Sequence, residues 1–332
     1  MKPLNPTPSQ KTNSTFLNDD YVEKPSVVTP SNTEAKNPPN NIPGTISLES
    51  IIRPGRINTI RTDEIEMMTD QPLGEGSFGR VYQGKYKNKD VAIKCFLSPI
   101  NRATVEKALN EIVIMAQQGH AHVQNLIGIV MDANIRIVTE LRQGSLSGFL
   151  PTNHVGMPYL LKYCQQIASG MQYLHGCGII HGDLAARNVL VKDQDNVLVS
   201  DFGLAQICYR SNGVPMPEHF PFRYCPPECF DHPLFTRESD VWAFGVTCWE
   251  IFTHCRMKPY GRKYSGENFC NLKIDLEKGH RLKSPPLCEG YIGSPVYTKM
   301  LECWHLRSEI RPAFYELERF FRCKLVEIEN ED

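Results

Sequence analysis

The stretch "IIHGDLAARNVLV" (residues 179–191), followed by "DFG" at 201–203, decides how this sequence is interpreted. It sets Asp183, Asn188 and Asp201 in order along a short part of the chain. A carboxylate can accept or orient the proton of an attacking hydroxyl. Magnesium prefers hard oxygen ligands, which an amide and a carboxylate supply. The stretch therefore predicts that Asp183 accepts or orients the proton of an attacking hydroxyl and that Asn188 and Asp201 bind a magnesium ion.

A glycine-rich stretch, "LGEGSFGRVYQG" (73–84), lies well before this motif. Gly74, Gly76 and Gly79 form a G-x-G-x-x-G-x-V pattern that ends at Val81. Without Cβ atoms, such a loop lets backbone N–H groups approach phosphates closely. A dinucleotide-binding loop has the same glycines, but a helix should follow it. Here "RVYQGKYKNKDVAIK" predicts strands instead, which favours a hairpin that covers a nucleotide.

A lysine ends the apolar stretch "VAIK" (91–94), where an ammonium group needs an anionic partner. An isolated lysine of this kind can also snorkel to solvent from an ordinary strand. The next segment, "RATVEKALNEIVIMAQQ", has helical spacing and carries both Glu106 and Glu111. We expect Glu111 to pair with Lys94, because it directly precedes "IVIM", which should pack inward.

From about residue 64 to 328 the chain resembles eukaryotic protein kinases, and the motifs occur in the family order. Strand-like segments come first and helical segments follow, which also indicates two unequal lobes. The expected fold is α+β, with a small β-rich N-lobe (about 64–140) containing one key helix and a larger, mainly helical C-lobe (about 141–328). By this resemblance Glu228 of "PPE" should pair with Arg311 of "IRPAF", and Asp240 should brace the catalytic loop.

The resemblance also implies ATP and Mg²⁺ as cofactors and assigns roles along the chain. Val81, Ala92 and Leu190 would bracket the adenine, with Thr139 at the back of its pocket. The implied catalytic residues are Asp183, Lys94, Glu111, Arg187 and Asn188, and the implied metal ligands are Asn188 and Asp201. The implied nucleotide-binding residues are Leu73, Gly74, Gly76, Ser77, Phe78, Gly79, Val81, Ala92, Lys94, Thr139, Glu140, Leu141 and Leu190.

The acceptor is predicted to be tyrosine on protein substrates. Kinases for Ser and Thr usually carry Lys two residues after the catalytic Asp, whereas tyrosine kinases resemble "DLAARN", with Ala185 and Arg187 here. "FPFRYCPPE" (220–228) resembles the platform on which a tyrosine lies. Two alternatives stay open: a pseudokinase that binds nucleotide or acts as a scaffold, and Ser/Thr or dual specificity.

The catalytic loop departs from the family pattern at Gly182, where an Arg is usual. That Arg commonly engages a phosphate on the activation loop, for which Tyr209 is the predicted site. We expect Gly182 to loosen the backbone and to alter regulation rather than chemistry, so Tyr209→Phe should cost little activity. Pro226 and Tyr224 also replace the usual residues and put peptide preference in doubt.

The remaining sequence sets limits on partners and location. Acids and bases nearly cancel, 37 against 36, so no basic excess indicates nucleic acid. Twelve cysteines without a Cys-x-x-Cys pair predict reduced thiols, and "MKPLNPTPSQ" lacks the apolar core of a signal peptide, so a cytoplasmic location is expected. Residues 1–60, rich in Pro, Asn, Ser and Thr, predict a disordered arm whose "PLNP" could contact an adaptor. An acidic tail is expected at 329–332.

Overall fold

The computed structural model describes residues 21–23, 57–76, 79–96, 102–117, 119–132, 134–208, 213–264 and 268–330. Within these ranges the strands β1 to β15 are, in chain order, Val22–Glu23, Thr59–Ile60, Ile65–Met67, Gly74–Gly76, Gly79–Tyr86, Lys89–Phe96, Leu126–Met131, Ile135–Glu140, Ile179–Ile180, Val189–Asp193, Asn196–Val199, Gln206–Ile207, Val214–Pro215, His219–Phe220 and Leu234–Phe235. The helices α1 to α8 are Arg102–Ala116, Leu146–Phe149, Met157–Gly176, Glu228–Asp231, Arg237–Phe252, Phe269–Glu277, Gly290–Cys303 and Phe314–Glu329.

These elements confirm the predicted α+β kinase fold, with a sheet-rich first lobe and a helical second lobe. The first lobe is one sheet in the order β2-β7-β8-β6-β5-β3, with β4 also paired to β5. The β5–β6 hairpin turns at Lys87 and Asn88, which both have left-handed φ angles of 50° and 62°. Two such residues form the tight turn whose twist matches paired strands. Among the described residues, no helix combines the length and apolar character of a membrane span.

One face of this sheet packs against a small core, and the other lines the cleft. Val91 and Ile93 of β6 are fully buried and join Ile60, Val130 and Val138 in a small core on one face. Because successive side chains of a strand point to opposite faces, Ala92 and Lys94 must lie on the other face. That second face is turned toward the cleft. The alternation of side chains along β6 is sufficient to place Lys94 on it.

The second lobe is built around α5, whose residues 239–252 are all buried. A helix that is buried all round belongs to the middle of a large core. Its start is fixed by a reciprocal cap: Ser239 N–H donates to the Thr236 hydroxyl (3.1 Å), and Thr236 N–H donates to Ser239 Oγ (2.9 Å). The cap places Asp240 in the first turn of the helix, below the catalytic loop.

The structure differs from the predicted disordered arm over 1–60 at two places. β1 pairs antiparallel with β14, and β2 pairs parallel with β7, so the sheet begins before the expected boundary at residue 64. Each segment contributes an apolar side chain to an existing surface: Val22 packs against the large core, and Ile60 is 1% exposed. Such isolated apolar residues do not change the composition of a polar segment, so composition did not reveal them.

Candidate active site

One face of the N-lobe sheet brings together four of the residues predicted to contact nucleotide. Val81 lies directly opposite Lys94, and Ala92 lies directly opposite Thr139. Residues opposite each other on paired strands share a face, so these four side chains line one wall. Val81 and Ala92 are half-buried and Thr139 is 9% exposed, as expected of an apolar wall that still has access to the cleft.

The glycine-rich hairpin covers this wall. β4 pairs with β5 so that Gly74 is opposite Val81 and Gly76 is opposite Gly79. A Cβ on Gly79 would lie 2.5 Å from the carbonyl oxygen of Cys95, so only glycine fits where the hairpin crosses β6. Leu73 precedes the hairpin and is exposed. Ser77 and Phe78, at the predicted tip, lie outside the described residues.

Two residues predicted to bind nucleotide, Glu140 and Leu141, lie at the end of the sheet. Glu140 ends β8, and its carboxylate pairs with Arg142. Further along, Gln143 N–H donates to the Val191 carbonyl (3.0 Å), and Ser145 bridges to Leu190. These contacts hold the segment after Leu141 against β10, the strand that carries Leu190.

One basic and two acidic side chains from separate elements, Lys94, Glu111 and Asp201, lie together at the inner end of the cleft. Lys94 Nζ lies 2.8 and 2.9 Å from the two carboxylate oxygens of Glu111 on α1, and 2.9 Å from Asp201 Oδ1. Glu111 is 3% exposed, whereas 37% of the Asp201 side chain is exposed. Asp201 has a φ of 57°, an uncommon angle for a residue with a Cβ and one that occurs at functional sites.

The charges of this group support one another. Burial alone would lower the pKa of Lys94, but attraction to Asp201 and Glu111 outweighs it, and the pKa lies above its ordinary value. Burial opposes ionisation of Asp201, yet its ion pair and hydrogen bond with Lys94 hold the pKa of that carboxyl below its ordinary value. The arrangement therefore keeps a cation at Lys94 and an ionised ligand at Asp201.

The catalytic-loop carboxylate is held by two neighbours. Arg187 Nη2 donates to Asp183 Oδ1 (2.5 Å), and Asn188 Nδ2 donates to Asp183 Oδ2 (2.8 Å) and to the Asp183 carbonyl (2.7 Å). Burial raises the pKa of Asp183, while Arg187 opposes that rise. Because the two amide hydrogens of Asn188 have these acceptors, Oδ1 is the atom through which Asn188 would bind a cation.

This donor set suits a magnesium ion that arrives with phosphate. A carboxylate from Asp201 and an amide oxygen from Asn188 are hard ligands, and magnesium usually takes one or two such groups and completes its shell with phosphates and water. In the described part of the chain, no group of three or more His, Cys, Asp and Glu side chains could hold a metal alone. The phosphate oxygens of a nucleotide would thus have to complete the site.

Residues 67–321 match the family model described as protein tyrosine and serine/threonine kinase. The chain belongs to this protein kinase family. Its relatives include the receptor tyrosine-protein kinase erbB-4 of Homo sapiens, 36% identical over 273 residues (78% of this chain, 20% of the relative), and the epidermal growth factor receptor of Apis mellifera, 38% identical over 273 residues with the same coverage. The receptor tyrosine-protein kinase erbB-2 of Rattus norvegicus is 36% identical over 291 residues, covering 81% of this chain and 22% of the relative. The chain thus spans about a fifth of the length of these relatives.

In this kinase domain, Asp240 binds the catalytic loop from below. Its Oδ1 accepts from Gly182 N–H, and its Oδ2 accepts from His181 N–H, both at 2.9 Å. His175 Nε2 also lies 2.9 Å from Oδ2. The ion pair between Glu228 and Arg311, which the resemblance implied, is also present. Arg311 Nη1 and Nη2 lie 2.6 and 3.0 Å from the Glu228 carboxylate oxygens.

A second buried acid of α5, Glu250, was missed in the sequence. Its Oε2 accepts from Ala186 N–H (2.9 Å) and its Oε1 accepts from the Tyr224 hydroxyl (2.8 Å). It therefore joins the catalytic loop to the predicted substrate platform. A lone acid in the apolar run "VWAFGVTCWEIF" was the available indication, since a buried carboxylate needs partners.

Gly182 does not loosen the loop. It is buried, its N–H is bound by Asp240, and its φ is 72°. A Cβ at this position would lie 2.7 Å from Cδ2 of Phe235. The aromatic ring occupies the space that a side chain at position 182 would need, so glycine is required here by backbone angle and by packing.

One functional contact comes from the segment predicted to be disordered. Tyr21 Oη lies 2.6 Å from Asp183 Oδ2 and 3.2 Å from Arg187 Nη2. The predicted phosphosite Tyr209 and the predicted adaptor motif "PLNP" lie outside the described residues.

Proposed function

We propose that this chain transfers the γ-phosphoryl group of ATP, with Mg²⁺, to tyrosine hydroxyls of protein substrates. The observation that carries the proposal is the position of Lys94 Nζ within 2.9 Å of both Glu111 and Asp201. This contact requires the helix α1 and the DFG segment to be in place together, which is the condition for an assembled kinase cleft. An unassembled cleft would separate these groups.

Each polar group then has a defined task. Lys94 would donate to the α- and β-phosphates, with Glu111 holding its ammonium group in position. Asn188 and Asp201 would bind the metal, which when bound neutralises charge on the β- and γ-phosphates. Asp183 would orient the acceptor hydroxyl and take its proton, and Arg187 would fix the carboxylate for that step.

Three observations support tyrosine as the acceptor. The erbB-4 and erbB-2 relatives are receptor tyrosine-protein kinases. Ala185 is fully buried, and the Arg187 guanidinium lies over the ring of Tyr224, with its carbon 4.7 Å from the centroid, so the platform beside Asp183 is aromatic. The phenol of Tyr21 reaches Asp183 in the present conformation, so the cleft admits a side chain of that length.

We extend the proposal to a reducing, cytoplasmic setting. All twelve cysteines of the chain are free thiols, including Cys225 and Cys229, which are near each other in sequence. Cytosolic proteins keep thiols reduced, whereas secreted domains pair them. Protein substrates are the expected partners there.

A labelling assay tests the proposal. The full chain is incubated with radiolabelled ATP, Mg²⁺ and a poly-Glu-Tyr polymer, and Asp183→Asn is compared with Asp195→Asn. Asp195 is exposed and pairs with Lys162, so its variant controls for the charge change. We expect labelling to disappear only in Asp183→Asn. Nucleotide binding without any labelling would establish the pseudokinase alternative. Phosphoserine on an added serine-containing protein, with no label on the polymer, would refute tyrosine specificity.

A further inference from the structure

The hydroxyl of Tyr21 occupies the place where an acceptor hydroxyl would react. It donates to Asp183 Oδ2 at 2.6 Å, within the reach that proton transfer to a general base requires. Arg187 Nη2 donates to the Tyr21 hydroxyl oxygen at 3.2 Å, and its guanidinium carbon lies 5.3 Å from the centroid of the Tyr21 ring. Asp183 and Arg187 thus position the phenol. Arg187 contacts it twice, at the hydroxyl and over the ring.

A backbone contact independently anchors the same segment. β1 pairs antiparallel with β14, with Val22 opposite Phe220 and Glu23 opposite His219. Val22 also packs against the core, and Phe220 is 1% exposed. Adding a strand to an exposed edge is a general mode of peptide recognition, in which backbone hydrogen bonds supply affinity and alternate side chains supply specificity.

Resting on the proposed function, we propose that Tyr21 is a phosphate acceptor of this chain, modified by the catalytic site of the same molecule. The observations that carry this proposal are the hydroxyl contact with Asp183 and the β1–β14 pairing, which involve different atoms of one short segment. Covalent attachment presents the acceptor at a high effective concentration, which favours reaction within one molecule.

The transfer balances with ATP as the donor. Tyr21 Oη forms a bond to the γ-phosphorus, and the bond from that phosphorus to the β,γ-bridging oxygen breaks, so ADP leaves with the bridging oxygen. The Oη proton passes to the Asp183 carboxylate and from there to solvent. Burial raises the pKa of Tyr21, and the neighbouring Asp183 carboxylate raises it further. The phenol therefore keeps its proton until the base removes it.

The test follows both acceptors in one reaction. The dephosphorylated full chain is incubated with Mg²⁺, labelled ATP and poly-Glu-Tyr, and the phosphate on Tyr21 is quantified by peptide mass spectrometry over a hundredfold range of enzyme concentration. We expect a first-order rate for Tyr21 that does not change with dilution. Tyr21→Phe should lose this modification and keep polymer labelling, and Tyr315→Phe, at an exposed tyrosine of α8, should change neither.

A second variant tests the docking rather than the acceptor. Val22→Asp keeps Tyr21 but places a charge where Val22 packs, so the first-order rate at Tyr21 should fall at least fivefold while polymer labelling persists. An undiminished rate would overturn the role of the β1–β14 pairing.

The outcomes separate this proposal from the proposed function. A labelled polymer with unmodified Tyr21 would overturn the present inference alone and would make Tyr21 an unreactive plug of the cleft. A Tyr21 rate proportional to enzyme concentration would overturn modification within one molecule. Absence of label on both acceptors would overturn the proposed function, and this inference with it.

Discussion

Replacing Gly182 with alanine tests whether backbone angle and packing determine the departure from the family motif. The change adds one methyl group to a buried residue with a φ of 72°. That methyl would lie 2.7 Å from Cδ2 and 3.0 Å from Cε2 of Phe235. Because Phe235 is 2% exposed and belongs to the large core, its ring cannot swing into solvent.

The expected cost has two parts. A left-handed backbone angle costs a residue with a Cβ roughly 1–2 kcal/mol. Inserting a methyl group into a packed site costs about 1–3 kcal/mol more. We therefore expect Gly182→Ala to lower the free energy of unfolding by about 2–5 kcal/mol. Gly182→Arg carries the same Cβ, so restoring the family residue should destabilise the loop by at least this amount.

Urea unfolding followed by tryptophan fluorescence measures the free energy of unfolding of the second lobe, which contains Gly182. All three tryptophans lie in the second lobe, at positions 242, 249 and 304, and all are buried. Gly261→Ala is the matched control, because Gly261 has a φ of 65° and nothing within 4 Å of its Cβ position. The control should show only the backbone cost of about 1–2 kcal/mol.

The contribution of the aromatic ring can be isolated. In a Phe235→Ala background, Gly182→Ala should cost about as much as Gly261→Ala, since the Cγ, Cδ2 and Cε2 atoms that crowd the added methyl group are gone. The difference between the two backgrounds is the coupling energy, which for residues in contact typically lies between about 0.5 and 3 kcal/mol. Equal destabilisation by Gly182→Ala and Gly261→Ala in the wild-type background would refute the packing argument.

Three further predictions concern the polar groups of the cleft. Tyr224→Phe removes a hydrogen bond to the buried Glu250 and should cost about 1.5–3 kcal/mol in urea unfolding; a loss under 0.5 kcal/mol would contradict the bond's role. Lys94→Met removes the cation that opposes the effect of burial on Glu111, so the pKa of Glu111, already above its ordinary value, should rise further, and polymer labelling should be lost. A carboxyl NMR titration of Glu111 measures the change, and a pKa no higher than in the wild type would refute the argument. Burial raises the pKa of Asp183, and its ionised form must accept the proton of the acceptor hydroxyl. Labelling should therefore fall with decreasing pH, with a midpoint above the ordinary aspartate pKa of about 3.9. A midpoint at or below that pKa would contradict the prediction.

Local patterns predicted the strands of the N-lobe wall, whereas the resemblance to kinases supplied the residues that line it. The stretch "RVYQGKYKNKDVAIK" predicted the strands that form β5 and β6. The choice of Glu111 over Glu106 rested on the apolar residues next to it, and Glu111 is the residue that lies 2.8 Å from Lys94. Both inferences depend on neighbours in sequence, where periodicity carries the information.

Contacts between distant segments were beyond such reasoning. Nothing near Gly182 in sequence indicates that Phe235 lies where its side chain would be, and nothing near Tyr21 indicates that Asp183 is its partner. In each case the determining residue lies far along the chain and is brought close by the fold. A polar composition also describes an average, so one valine and one tyrosine that dock on a formed surface leave it unchanged.

The two acids of α5 explain why the catalytic loop keeps its shape without the usual Arg. Asp240 binds the N–H groups of His181 and Gly182, and Glu250 binds the N–H of Ala186. Hydrogen bonds to charged acceptors are each worth about 1.5–3 kcal/mol, and these three bind backbone N–H groups, so they need no side chain at position 182. The orientation of Asp183 therefore depends on helix α5 from below and on its neighbours in the loop. The catalytic carboxylate keeps this support without a guanidinium at position 182.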